Sequence, residues 1–335
     1  MSRALLLIVS FLAVGPATGW AQSKAAKAPI QDPKSTVKQA EELFLDKEYG
    51  KVTDLLWKNI SSLNRQGFIL LMKAHKEKKE WGEVIRASNL ALSKNAKDEE
   101  AMTYLGEAQF RRANKPTEAK ETLKKVLEIN PKYQPAYEIL AQIYEKNPYE
   151  QRIIYQDMVE VFGPKASFLS RLCALNANDG ENEQGEKYCQ EAIAASPKVP
   201  DNHVYLGIIA KQKGDLEKSK KLLTTAANQF NDSEFAQYEA AAFLESDKAW
   251  IESNKYYEKC TKADDKSDRC WLGVGNSAIQ LRNYDRALYS FIKACQIAGR
   301  KSAPIVRRAA SAVRQRKDVE WSDKLSRVAD RCSYL

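Results

Sequence analysis

Six cysteines and two histidines are the residues of this 335-residue chain best able to do chemistry. Cys173, Cys189, Cys260, Cys270, Cys295 and Cys332 all lie in its second half, and an even count permits a full set of disulfides. A Ser or Cys nucleophile would have to take His75 or His203 as its base, since there is no third imidazole. Neither histidine has a cysteine or carboxylate at zinc-ligand spacing, so no metal centre is expected. Gly273-Val274-Gly275-Asn276-Ser277-Ala278 has the outline of a dinucleotide-binding turn. That turn works only where a strand delivers its glycines to phosphate at a helix start, and no strand pattern precedes it here. The acidic stretch 176–183 misses the register of a calcium loop and reads as a solvated turn. No residue emerges as catalytic, and no cofactor or small-molecule substrate is implied.

The elements that would carry these residues are helical. Eleven Pro and 14 Gly are few for the length, which favours long uninterrupted helices over a turn-rich β fold. At 29% charged and 44% hydrophobic, the composition is that of a folded chain. From residue 33 onward a pattern recurs with a period near 34. In the clearest copy, 268–301, Trp271, Gly275, Tyr284, Ala287, Phe291 and Ala294 stand at places 4, 8, 17, 20, 24 and 27. Place 8 elsewhere reads Ala40, Met72, Gly106, Ala141, Cys173, Gly207, Ala241 and Ala309, small in all but one. Tyr49, Trp81 and Trp250 repeat the aromatic of place 17. Two helices approach closely only where small residues mark their crossing and large ones fill the flanks.

These residues resemble the tetratricopeptide repeat signature. The resemblance implies an all-α fold, a right-handed α-solenoid of about nine helix-turn-helix repeats over 33–335. The repeats start near 33, 65, 99, 134, 166, 200, 234, 268 and 302, the last a basic cap. It also implies a concave groove lined by first helices, with places 2, 5, 9, 12 and 13 pointing inward. That assigns Thr103, Glu107, Arg111, Glu138, Gln142, Tyr238 and Asn276 to a partner-binding face. Such mixed polar and aromatic groups suit an extended or helical peptide. The subfamily that clamps chaperone tails carries Lys at place 5, which no repeat here does, so that ligand is not expected. In the same register His75 and His203 fall at packing positions, which reads as core histidines.

The register also narrows the cysteine pairings. Cys173 and Cys189 face one internal seam, Cys260 and Cys270 flank a short turn, and Cys295 and Cys332 sit on second helices of neighbouring repeats. The competing reading of each is a buried thiol acting as a small apolar residue.

Residues 1–21 have the form of a secretory signal peptide: Arg3, an apolar core from 4 to 14, then Gly19-Trp20-Ala21 before Gln22. No cysteine follows that core, so export without a lipid anchor is expected, to the periplasm or beyond. Residues 22–32 read as a flexible basic leader. The net charge of +9 is concentrated at the ends, +3 over 22–38 and +6 over 300–335. Arg307, Arg308 and Arg314 make the C-terminal repeat a second candidate surface, for an acidic partner or an anionic envelope polymer or membrane. The expectation is a non-catalytic envelope scaffold that binds other proteins and no nucleic acid.

Overall fold

A computed structural model describes residues 33–113, 116–332 and 334. The expected signal peptide and leader, 1–21 and 22–32, lie outside the described residues. Among the described residues there are eighteen α-helices and no strand. They fall into two compact units, divided after Lys79.

The first unit holds α1 (Pro33–Leu45), α2 (Tyr49–Lys58) and α3 (Arg65–Glu77). All three pack on one another. Leu56, Leu71 and Met72 on these helices are fully buried, and the Trp57 indole N–H donates to His75 Nε2 at 2.8 Å. Asn64 starts α3 by accepting from the Gly67 amide, satisfying an N–H that has no partner within the helix.

The second unit opens with α4 (Trp81–Lys94), and seven helix pairs follow. They are α5 (Glu99–Ala113) with α6 (Pro116–Ile129), α7 (Gln134–Ile143) with α8 (Pro148–Phe162), and α9 (Ala166–Asp179) with α10 (Asn182–Ala195). Next come α11 (Pro200–Gln212) with α12 (Leu216–Gln229), α13 (Glu234–Ser246) with α14 (Trp250–Ala263), and α15 (Asp268–Gln280) with α16 (Tyr284–Ala298). The last pair is α17 (Ala303–Gln315) with α18 (Val319–Cys332).

Each first helix packs on its own second helix, and each of α6, α8, α10, α12 and α14 packs in turn on the next first helix. Successive first helices from α9 to α17 also touch, so they line one continuous side of the unit. The small residues of place 8 make this possible. A Cβ added at Gly207 would lie 2.6 Å from Leu223, and one at Gly275 would lie 2.5 Å from Phe291. Leu223 and Phe291 fill the space those glycines leave and are buried. The turns use polar caps, as where Asp215 accepts from the Lys218 amide and Asn283 from the Arg286 amide. No helix among the described residues is long and apolar enough to cross a membrane.

Candidate functional site: the first-helix side of the second unit

Because first helices line one side, residues at equivalent places from consecutive repeats come together there. Two clefts open between them. The first, of about 330 Å³, lies among α5, α7, α8 and α9 and brings the predicted residues Arg111 and Gln142 together. The Arg111 guanidinium donates to Gln142 Oε1 at 2.6 Å. On the opposite wall Arg171 donates to Gln151 Oε1 at 2.9 Å, and the buried Gln151 donates its own amide N–H to the Ala141 carbonyl at 2.7 Å. That relay fixes the arginine through a neutral amide. Tyr155 completes the wall, its hydroxyl pKa raised by burial.

The other residues predicted for this part of the face do not open into the cleft. Thr103 is buried and donates its hydroxyl to the Glu99 carbonyl one turn back. Glu107 is buried as well. Glu138 stays exposed and accepts from Gln134 at 2.7 Å within its own helix. Arg171, Gln151 and Tyr155 are absent from the sequence-based set because they occupy place 6 of a first helix or belong to a second helix. Gln151 and Tyr155 enter from the second helix of the pair that carries Gln142, and Arg171 from the first helix of the next pair.

Between the clefts, Tyr238 is capped rather than open. The Arg269 guanidinium lies 4.2 Å from its ring centroid, and the Tyr257 ring meets it edge-on at 5.9 Å. Arg269 also forms a two-pronged ion pair with Glu234, which accepts from Ser267 Oγ at 2.6 Å.

The second cleft, of about 250 Å³, lies among α13, α15 and α17. It joins Asn276 of the predicted groove to Arg308 of the predicted basic cap. Ile279, Ile305, Ala309 and Ala312 give it an apolar wall. Glu245, on the α13 side, accepts from the Tyr257 hydroxyl at 2.5 Å. Burial, then the charge and hydrogen bond of Glu245, push that phenol's pKa up, so it stays protonated. The cap arginines divide here. Arg307 pairs with Asp330 at 3.2 Å and Arg314 with Asp323 at 3.5 Å, both across to α18, while Arg308 alone of the three faces the cleft.

All six cysteines are paired, Cys173 with Cys189, Cys260 with Cys270 and Cys295 with Cys332. The first bond ties α9 to α10, the second joins α14 to α15 across a repeat boundary, and the third ties α16 to α18. Glu234 comes close to the sulfurs of Cys260 and Cys270. Those sulfurs are bonded to each other and the carboxylate already serves Arg269 and Ser267, so the trio offers no thiolate to a metal. Of the histidines, His75 is buried against Trp57. His203 differs from the core position expected of it. It is half-exposed and set against Phe230, because its Nε2 bonds the Pro197 carbonyl at 2.9 Å in the preceding turn, as the place-4 Tyr137 and Trp271 bond the carbonyls of Pro131 and Asp265.

A family profile described as tetratricopeptide repeat matches residues 110–133. Among solved structures, the chain is similar to a tetratricopeptide repeat protein from Parabacteroides merdae, with TM-score 0.55 and 14% identity over 79% of this chain and 98% of that one. It is also similar to the crystal structure of the APC/C hetero-tetramer Cut9-Hcn1, with TM-score 0.49 and 15% identity over 82% of this chain. The present chain spans 55% of that relative's length. A third likeness, to Pseudomonas aeruginosa pilF, has TM-score 0.46 and 20% identity over 59% of this chain and 92% of that one. No curated protein matches the sequence. The repeat profile and the Parabacteroides structure show a tetratricopeptide-type fold.

Proposed function

We propose that this tetratricopeptide-repeat chain is a non-catalytic scaffold that holds a peptide or helix of another protein along the first-helix side of its second unit. The observation that carries the reading is the pair of clefts on that side, each with polar and charged groups above an apolar or aromatic wall. Such surfaces bind through a few anchors in pockets, with the rest of the contact area supplying complementarity. We further propose that the protein acts in the cell envelope or outside the cell. The complete pairing of its cysteines supports this, because buried structural disulfides persist where thiols are not kept reduced.

The rival reading, attraction of anionic polymer or lipid by the basic C-terminal repeat, has weaker support. Arg307 and Arg314 already have carboxylate partners on α18.

A photo-crosslinking side chain at Gln142 or Asn276 tests the scaffold reading in intact cells. Defined partner bands from these positions, and none from Ile251 or Tyr289 on the exposed second helices, are the expected result. Equal capture from both sets would remove the case for the first-helix side.

A further inference from the structure

The second cleft holds two polar side chains that the fold leaves unengaged. Among the described residues the side chains of Arg308 and Asn276 have no hydrogen-bond or ion-pair partner, although both line the same 250 Å³ space. The other polar groups around them are engaged. Glu245 takes the Tyr257 hydroxyl, and Arg316 donates to the Ile279 carbonyl at 2.7 Å and to Gln280 Oε1 at 2.5 Å. Arg307 and Arg314, next to Arg308 in the same repeat, are held by Asp330 and Asp323. The outer arginines thus have carboxylate partners, and one guanidinium and one carboxamide line the cleft beside Ile279, Ile305, Ala309 and Ala312. A guanidinium fork matches a carboxylate, a carboxamide matches both groups of a peptide bond, and the wall accepts an aliphatic side chain.

Resting on the scaffold reading above, we infer that this cleft is an anchor site for an extended protein segment carrying an aliphatic residue close to an Asp or Glu side chain. The aliphatic residue packs on Ile305 and Ala312, the two wall residues that are only partly buried. The Asn276 carboxamide bonds the segment's backbone, and Arg308 takes its carboxylate. Charge complementarity also sets direction. Glu245 lies on the α13 side and Arg308 on the α17 side, so the acidic residue of the segment sits toward α17 and a basic residue is tolerated only toward α13.

The test is selection of a random-peptide display library on the full chain. The enriched peptides are then synthesised with acetylated and amidated ends, so that only side-chain carboxylates are offered. The expected result is enrichment of an aliphatic residue next to Asp or Glu. Arg308→Glu should weaken binding roughly tenfold or more, and Asn276→Ala severalfold. A peptide whose acid is changed to Lys should regain affinity for the Arg308→Glu protein and lose it for the unaltered chain. That swap separates a binding role from any loss of folding. Peptides that bind the chain but are indifferent to Arg308→Glu and Asn276→Ala would overturn this site while leaving the scaffold reading in place. A library from which nothing is enriched would overturn both.

Discussion

Arg269 reaches back from α15 to Glu234 at the start of α13, closing on both carboxylate oxygens while its guanidinium face covers Tyr238. One residue thereby fixes the spacing of two successive first helices and caps the aromatic ring between them. Glu239, five residues along α13 from Glu234, meets the opposite environment. It is largely desolvated, and the charges of Arg269 and Lys211 offset this only in part.

The two carboxyls should therefore give stability opposite pH dependences. Burial alone would raise Glu234, but hydrogen bonds from Arg269 and Ser267 outweigh it and hold its pKa below the ordinary value. Its contribution is present above the unfolded-state pKa, around pH 4, and is lost as pH falls through the lower folded value. Burial raises Glu239, so its contribution is present below the unfolded pKa and disappears as pH rises through the folded one. In urea unfolding at a series of pH values, Glu239→Gln should be more stable than the parent at neutral pH and indistinguishable from it in acid. Glu234→Gln should be less stable at neutral pH, with the gap closing in acid. Parallel curves for all three proteins would contradict this assignment.

Glycine at the helix crossings is a packing requirement, and its removal should cost accordingly. Gly275→Ala places a methyl 2.5 Å from the buried Phe291 ring, an overpacking that should cost about 1–3 kcal/mol. Gly50, in the first turn of α2, has nothing within 4 Å of an added Cβ. Gly50→Ala should stabilise by roughly 0.5–1 kcal/mol through helix propensity alone. Thermal melts of the two variants should move in opposite directions, and a loss at both positions would refute the crossing-point argument.

Much of this was legible in sequence because the repeat imposes one spacing on every pair. Gly207, Gly275, Phe291 and Ala294 recur at fixed places, and the same spacing that identifies them also makes them meet. The clefts were less legible. Arg111, Gln142, Asn276 and Arg308 could be named, but the rest of each cleft could not, since Gln151 comes from a second helix and Arg171 from the next helix pair. Tyr238 looked open and is covered, because Arg269 comes from the next repeat. Thr103 looked available and is satisfied by its own helix.

The disulfides should differ in worth according to the chain they close. Cys173–Cys189 spans 16 residues and Cys295–Cys332 spans 37. Loop-closure entropy puts their contributions at about 3 and about 4 kcal/mol. The paired replacement Cys295→Ala with Cys332→Ala should release α17 and α18 first, since that bond ties α18 to α16. Hydrogen exchange should show faster amide exchange in 303–332 with little change in 99–162. Uniform acceleration along the unit would mean that the bond supports the whole stack rather than its end.

The turns inside the pairs carry strain that the repeat does not need. Lys248 and Arg282 connect first to second helices at φ of 60° and 58°, the left-handed region, where Gly180 and Gly214 stand in two other repeats. A side chain there costs about 1–2 kcal/mol relative to its ordinary conformations, against which glycine adds roughly 0.5–1 kcal/mol of unfolded-state entropy. Both side chains are exposed, so replacing them removes no core packing. Lys248→Gly and Arg282→Gly should therefore each stabilise by on the order of 0.5 kcal/mol, and the reverse change Gly214→Lys should destabilise by a similar amount. The two sites are a full repeat apart and do not share a turn, so the double variant should show nearly the sum of the single shifts in urea midpoint. A destabilised Lys248→Gly protein would mean that the lysine side chain contributes more to the turn than its backbone strain costs.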